Sequence, residues 1–271
     1  MKPANFDYVR AESVHEALDV LRCEGSDARI IAGGQSLMPM LNMRLAKPRI
    51  LVDIMHLEEL CKIEPMRGKI AVGATVRQAE LLEWPSLDRE LKLLSLALPW
   101  TGHVQTRSRG TICGSIAHAD PSAEIPLALL ALGGEIVLRS ARKRRRVAAP
   151  DFFQGVMTTD RRDDELIEAV EFPSTGNRHC AFREVARRHG DFAIVACAAV
   201  TTERGVRLAV GGVADMPVAR EFDLLEGEAI DDALNEFAWD LDARDDFHAT
   251  ARYRRDLVRM IGRELIVEVT R

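Results

Sequence analysis

Ile30-Ile31-Ala32-Gly33-Gly34-Gln35-Ser36-Leu37 is the stretch on which the reading of this chain turns. Residues 29–32 read as a short buried strand, with two β-branched isoleucines ahead of a break. Gly33 and Gly34 follow at once, then Ser36, then a helix-compatible run over 37–45. A glycine pair after a strand can hold backbone angles closed to other residues. It can also turn successive N–H groups toward one point, making a nest for an anion. The start of the following helix adds free N–H groups and a partial positive charge. Phosphate or pyrophosphate is the guest that this chemistry selects. The dinucleotide fingerprint G-x-G-x-x-G is absent, because positions 33, 35 and 38 are Gly, Gln and Met. Taken alone, the pair reads first as a tight surface turn.

A second stretch changes the balance. Thr111-Ile112-Cys113-Gly114-Ser115 leads into Ile116-Ala117-His118-Ala119-Asp120-Pro121-Ser122-Ala123-Glu124. It reads as a small-residue loop feeding a helix, with Asp120 as N-cap and Pro121 in the first helical position. Glu124 falls in the first turns, and the apolar run 125–132 follows. Two such loops suggest a ligand with two phosphates, gripped from both sides.

At this point a resemblance becomes specific. Ala32-Gly33-Gly34-Gln35-Ser36-Leu37-Met38-Pro39, with Arg44 and Pro48 downstream, resembles the first flavin loop of the medium subunits of molybdenum hydroxylases. Residues 109–121 resemble the second flavin loop. Gly190-Asp191-Phe192-Ala193-Ile194 and Gly211-Gly212-Val213-Ala214-Asp215-Met216-Pro217-Val218 resemble the C-terminal domain. The likeness runs from Phe6 to the helix holding Tyr253 and Arg254. It implies an α+β chain with a two-lobed FAD-binding domain of the vanillyl-alcohol-oxidase (PCMH) type over 1–173, its lobes about 1–56 and 57–173. A smaller α+β C-terminal domain over 178–271 follows. It implies FAD in this chain, and a molybdenum cofactor and two [2Fe-2S] clusters in a large and a small partner subunit, assembled as a dimer of heterotrimers.

The resemblance also proposes contacts. Ile30, Ile31, Ala32, Gly33, Gly34, Gln35, Ser36 and Leu37 form one side of the FAD site, and Thr111, Ile112, Cys113, Gly114 and Ser115 the other. Cys113 departs from the glycine common in the family, and reads as a small buried spacer rather than a redox thiol. Glu124 aligns with an acidic residue that contacts the flavin; a first-turn helix charge is the plain alternative. Thr101 stands where relatives place a flavin contact, often aromatic. Leu166 and Ile167 align with an apolar residue near the isoalloxazine, and Arg183 with a lysine near the ring. Strand packing and an exposed strand charge explain these last three equally well. His118 reads as a hydrogen-bonding element of the turn rather than a general base.

Composition bounds the rest. The chain has 271 residues, 47% of them hydrophobic, enough for one large or two modest domains. A net charge of -5 gives no global basic field for nucleic acid. The one basic run, 142–146, sits between two strand-like segments and reads as a solvated hairpin turn, or less readily as a docking patch. Five cysteines with no C-x-x-C spacing argue against an iron–sulfur or zinc site within the chain and fit a reducing compartment. The first six residues lack a signal-peptide core and no apolar run spans a bilayer, so a cytoplasmic location is expected.

Patterning predicts a helix capped by Ser13 and Glu16 with Val14, Ala17, Leu18 and Leu21 inward, ended by Gly25. Strands are expected at 50–54 and 69–74, a helix capped by Thr75 and Gln78, and a helix over 88–98 stopped by Pro99. A loop over 100–109 and strands at 135–138, 145–148 and 165–171 follow. Residues 173–177 read as a linker. Beyond it come a three-stranded meander (180–185, 193–201, 206–213) and helices near 218–225, 229–241 and 247–263. No Ser-His-Asp set, metal-ligand cluster or paired catalytic carboxylates stand out. The function expected is a flavoprotein subunit that takes electrons from partner iron–sulfur clusters and passes them to an external acceptor. An independent flavin oxidoreductase, or a flavin-free scaffold subunit, are the alternatives.

Overall fold

The computed structural model describes residues 2–224 and 227–271. The N-terminal half holds two main sheets and a short two-stranded one. Strands β1 (Asp7–Arg10), β2 (Ala28–Ile31) and β3 (Ile50–Asp53) form a parallel sheet in the order β1-β3-β2. Between β1 and β2 runs helix α1 (Val14–Glu24), whose Ser13 hydroxyl accepts from Glu16 N and whose buried face is Val14, Ala17, Leu18 and Leu21. Gly25 ends it at φ 54°. Helix α2 (Leu37–Asn42) follows β2 after the glycine loop.

The second sheet is antiparallel. It joins β4 (Ile63–Met66), β5 (Lys69–Gly73), β6 (Glu135–Arg139) and β7 (Arg144–Ala148) to a later strand, Leu166–Pro173, in the middle. Numbering the intervening hairpin β8 (Phe153–Gly155) and β9 (Thr158–Thr159), that central strand is β10. Helices α3 (Gln78–Leu82), α4 (Leu87–Glu90), α5 (Lys92–Ala97), α6 (Val104–Arg107), α7 (Ile112–His118), α8 (Glu124–Leu132) and α9 (Ala149–Phe152) fill the connection and its return.

The C-terminal part is a four-stranded antiparallel sheet, β11 (Cys180–Val185), β12 (Val195–Thr201), β13 (Gly205–Gly211) and β14 (Val218–Asp223), backed by α10 (Glu228–Asp240) and α11 (Ala251–Thr270). Its two faces serve different cores. Cys197, Ala199, Leu208 and Val210 pack with α10 and α11. Phe182, Ala196, Ala198 and Ala209 join the core of the N-terminal half. The helix between is α8, buried at every position, as its run of apolar residues on all sides requires. No helix among the described residues is long and apolar enough to cross a membrane.

Several expectations are corrected. Residues 218–223 are a strand, not a helix, because β13 offers a free ladder edge and Phe222 packs edge-on against Phe237 with ring centroids 5.7 Å apart. Leu225, the expected end of that helix, lies outside the described residues. The helix expected over 88–98 breaks at Leu91 (φ -133°, ψ 55°). There the 173–177 segment inserts: Thr175 N donates to Glu90 O at 2.7 Å, and Lys92 N to Thr175 Oγ1 at 3.0 Å. Thr175 is buried, so the segment read as a linker is pinned where it crosses this break. Arg77, not Thr75, precedes α3, and its N–H donates to Glu80 at 2.8 Å. The basic run starts in the exposed hairpin turn at 142–143, as expected, but 144–146 belong to strand β7. Arg144 and Arg146 pair with Glu168 and Glu171 of β10, and Arg145 with Glu165 just before it.

Candidate functional site

Between the two halves lies a cleft of about 950 Å³. That is at the upper end for small-molecule sites and large enough for an extended ligand. The first glycine loop forms one wall. Among the described residues, the N–H groups of Gly33, Gly34, Gln35, Ser36 and Leu37 donate to no protein acceptor. Gly34 takes φ 69°, a left-handed angle that a β-carbon penalises. Gly33 matters for another reason. A β-carbon there would lie 2.0 Å from the carbonyl oxygen of Arg109 and 2.8 Å from Gly110 Cα. The two loops therefore touch backbone to backbone, and only glycine permits it.

The second loop differs from expectation in form. Thr111 is the N-cap of α7, its hydroxyl accepting from Gly114 N at 3.0 Å. The stretch is thus itself a short helix, ended by Ala119 in the left-handed region (φ 51°). Asp120 is not the cap of the next helix. Its carboxylate accepts from Ser122 N at 2.8 Å, and α8 begins only at Glu124 after Ala123. Pro121 O accepts from Gly212 N at 2.8 Å, tying this turn to the C-terminal part.

Sixteen of the eighteen expected site residues line the cleft: Ile30 to Leu37, Thr101, Thr111, Cys113, Gly114, Ser115, Glu124, Leu166 and Ile167. Ile112 does not; it is fully buried in the core. Arg183 does not either. It lies on the opposite face of β11, where its guanidinium meets Glu268 of α11 at 2.9 Å and Glu264 at 3.6 Å.

Cys113 is buried, and its thiol donates to Val72 O at 3.4 Å. Burial pushes that thiol far above the ordinary range, which removes the thiolate that redox chemistry needs. Burial also pushes the Glu124 carboxyl up, to about 7, with the Asp120 charge adding to the effect. His118 is lowered by burial, against a smaller opposing pull from Asp120, so it stands neutral near pH 7.

Sequence reasoning missed several wall residues. Gln78 is buried, faces the cleft, and leaves its side-chain oxygen without a partner. The buried Thr101 hydroxyl makes no well-formed hydrogen bond, though it lies close enough to the Glu124 carboxyl to stabilise its charge. Arg161, Arg187, Arg244 and His248 line the cleft as well. Arg254 on α11 organises the C-terminal wall. Its guanidinium donates to Ile194 O at 2.6 Å, to Gly212 O, and to the Asp246 carboxylate at 2.5 Å. The signal for Arg254 was available: it stands on the stripe that continues through Leu257, Val258, Ile261 and Leu265, and a charge on an apolar stripe must find buried partners. Gln78 gave no such signal, because a glutamine in a first helical turn also serves a cap.

Free N–H groups on touching loops fit a pyrophosphate. Unpartnered oxygens on Gln78 and Thr101 fit ligand groups that donate or accept. Both are what an FAD site requires.

Comparison with known proteins agrees. Residues 4–175 match the family model described as the FAD binding domain in molybdopterin dehydrogenase, and residues 180–269 the CO dehydrogenase flavoprotein C-terminal domain. The chain is 38% identical to the 6-hydroxypseudooxynicotine dehydrogenase complex subunit alpha of Paenarthrobacter nicotinovorans, over 98% of this chain and 95% of that one. It is 35% identical to the glyceraldehyde dehydrogenase medium chain of Sulfolobus acidocaldarius, over 99% and 100%. A chain of carbon monoxide dehydrogenase from Hydrogenophaga pseudoflava superposes with a TM-score of 0.94 at 29% identity, covering 99% of this chain and 98% of that one. The chain belongs to the family of FAD-binding medium subunits of molybdenum hydroxylases.

Proposed function

We propose that this chain is an electron relay: it takes electrons from the iron–sulfur clusters of a small partner subunit, fed by a molybdenum-containing large subunit, and passes them to an external acceptor. The observation that carries the reading is the contact of the two glycine loops, which gathers unbonded N–H groups at one wall of the cleft. The N–H groups of residues 33–37 would hold the pyrophosphate. Gln78 and Thr101 would meet hydroxyl or ring groups of the ligand. Leu166, Ile167 and Cys113 would give it an apolar wall and keep water away. FAD, when bound, supplies the redox chemistry, accepting and releasing electrons singly or in pairs. Glu124, on the same wall, presents a carboxyl that is part neutral near pH 7.

Arg183 has no place in this arrangement. Arg161 and Arg187, both on the cleft wall, are arginines that would meet negative charge there. Met43 and Leu45 beyond α2, and Phe192 and Phe247 on the C-terminal side, are exposed apolar residues that suit partner contacts. The names of the relatives speak of complexes and medium chains, which supports large and small partners; a dimer of heterotrimers is the assembly we expect.

The test of the binding step is direct. Denaturing the purified protein releases one FAD per chain into the filtrate. Recovery of FMN, or of flavin bound covalently to the peptide, contradicts the two-phosphate argument.

A further inference from the structure

Strand β11 alternates faces. Ala181 packs in the core shared with α10 and α11, Val185 packs against it, and Arg183 reaches α11 itself. Phe182 turns the other way, into the core of the N-terminal half. Glu184, two residues on, therefore points toward the same junction. Both of its carboxyl oxygens are buried and neither has a hydrogen-bond partner. That is an anomaly, since a buried charge is normally paired.

Among the described residues, the charge that acts on Glu184 is that of Glu124, at the start of α8, and it is of the same sign. Arg183 beside it is spent on Glu264 and Glu268 across the sheet. Its partner on β12 is Ala196, which offers nothing. Glu124 is itself 5% exposed and lines the cleft; burial raises its carboxyl, the Thr101 hydroxyl is placed to donate to it and so lowers it, and the Asp120 charge raises it.

We propose that Glu124 and Glu184, one from each side of the junction, act as a single titrating pair that carries no more than one negative charge near neutral pH, with Glu184 positioning the charge of Glu124 at the cleft wall. Two carboxyls out of water with no cation between them do not both ionise readily, so their protons come off in steps that belong to the pair. Burial, and the Glu124 charge after it, push the Glu184 carboxyl up to about 8. Glu124 is then the member left to accept a hydrogen bond from a ligand, and Glu184 the member that stays neutral. Raising the pH forces a second charge onto the junction. That charge opposes both the packing of the two halves and the entry of an anionic ligand. The role toward a ligand rests on the FAD reading; the titration of the pair does not.

The sign follows from linkage. A carboxyl whose folded value is raised favours the folded state at low pH, and that stability is lost as pH rises toward the folded value. The test follows unfolding midpoints of the ligand-free chain from pH 6 to pH 9, for wild type and Glu184→Gln. Between pH 6 and pH 9 the wild type loses about 5 °C more than the variant, the loss having begun near the unfolded carboxyl value and levelling off above pH 8. Parallel profiles overturn the proposal. Should Glu184→Gln fail to fold, Glu124→Gln takes its place and shows the same flattening. Infrared spectra of the wild type at pH 7 give an independent readout, a protonated-carboxyl band that bleaches between pH 7 and 9; its absence at pH 7 also overturns the pair.

A second arm measures FAD affinity by flavin fluorescence. The wild type weakens about tenfold from pH 6.5 to 9, as loss of one proton implies, and Glu184→Gln less than twofold. Equal weakening in both overturns the positioning role. Absence of FAD binding at every pH, with the midpoint difference intact, contradicts the FAD reading and leaves the pair standing.

Discussion

Gly33 and Gly34 respond differently when a side chain is added. At Gly33 the obstacle is backbone: the new β-carbon meets Arg109 O at 2.0 Å, and a carbonyl cannot swing away as a side chain can. At Gly34 the nearest atom is Met38 Cγ at 3.2 Å, which can yield, but φ 69° strains any β-branched residue. Gly33→Ala therefore separates the two loops, and Gly34→Val distorts one of them. Both should lose most of their flavin, at least tenfold in occupancy, while far-UV circular dichroism stays near wild type. Full occupancy in either variant would show that the loop is only a turn. Cys113 is the opposite case. Its thiol is buried and held protonated, so Cys113→Ser should keep flavin content within a few per cent and lose no electron transfer. A slow wild-type reaction of Cys113 with iodoacetamide under native conditions checks the same point. A large loss of turnover with flavin retained would restore the redox-thiol reading.

Among the elements, β10 and Glu165 just before it are tied to β7 by arginines. Glu165 is 1% exposed, and Arg145 holds it through two contacts of 2.7 Å while also reaching Asp160. Burial pushes the Glu165 carboxyl up, but Arg145 and the Arg162 N–H more than offset it, so it ends below the ordinary range. Its contribution to stability is present above the unfolded value near 4.3 and fades as pH falls through the folded value. Arg145→Met leaves that carboxylate buried and unpaired, and should cost about 3 kcal/mol at pH 7. Denaturant titrations should show the deficit shrinking at pH 4, where the stranded carboxyl is protonated. A loss below about 0.5 kcal/mol at pH 7 would mean the network is a surface feature. These pairings also mark the limits of the sequence. The arginine run was visible, but its partners lie about 20 residues on in a strand whose register no local pattern fixes. The strand at 218–223 was hidden for a like reason: Ala219, Arg220 and Glu221 favour helix locally, and only the open edge of β13 decides otherwise. Helix α7 was masked by Gly114 and Ser115, poor helix formers whose turn Thr111 caps. What was legible was periodic or chemically unusual: α1, the all-apolar α8 and the glycine pair. Arg183 and Ile112 stood in motifs that pointed to the cleft, yet strand alternation turned one outward and core packing took the other.

For the whole molecule, the cleft is built by both halves. The 33–37 loop and α7 supply one side, and the segments at 187–194, 212–215 and 244–254 supply the other, held by Arg254. Arg254→Met should loosen that wall: FAD affinity falls about tenfold and the unfolding midpoint drops by several degrees, because Asp246 and two carbonyls lose their donor. Unchanged affinity would place FAD wholly on the N-terminal half. In the proposed function the chain stores and forwards electrons but does not collect them from an organic substrate. This is tested by loading the isolated chain with FAD and recording flavin absorbance without oxygen, in the presence of candidate N-heterocycles, aldehydes and purines. The absorbance should hold with the chain alone and bleach once the molybdenum and iron–sulfur subunits are added. Bleaching of the isolated chain at a catalytically useful rate would contradict this reading and make the protein an independent flavin oxidoreductase.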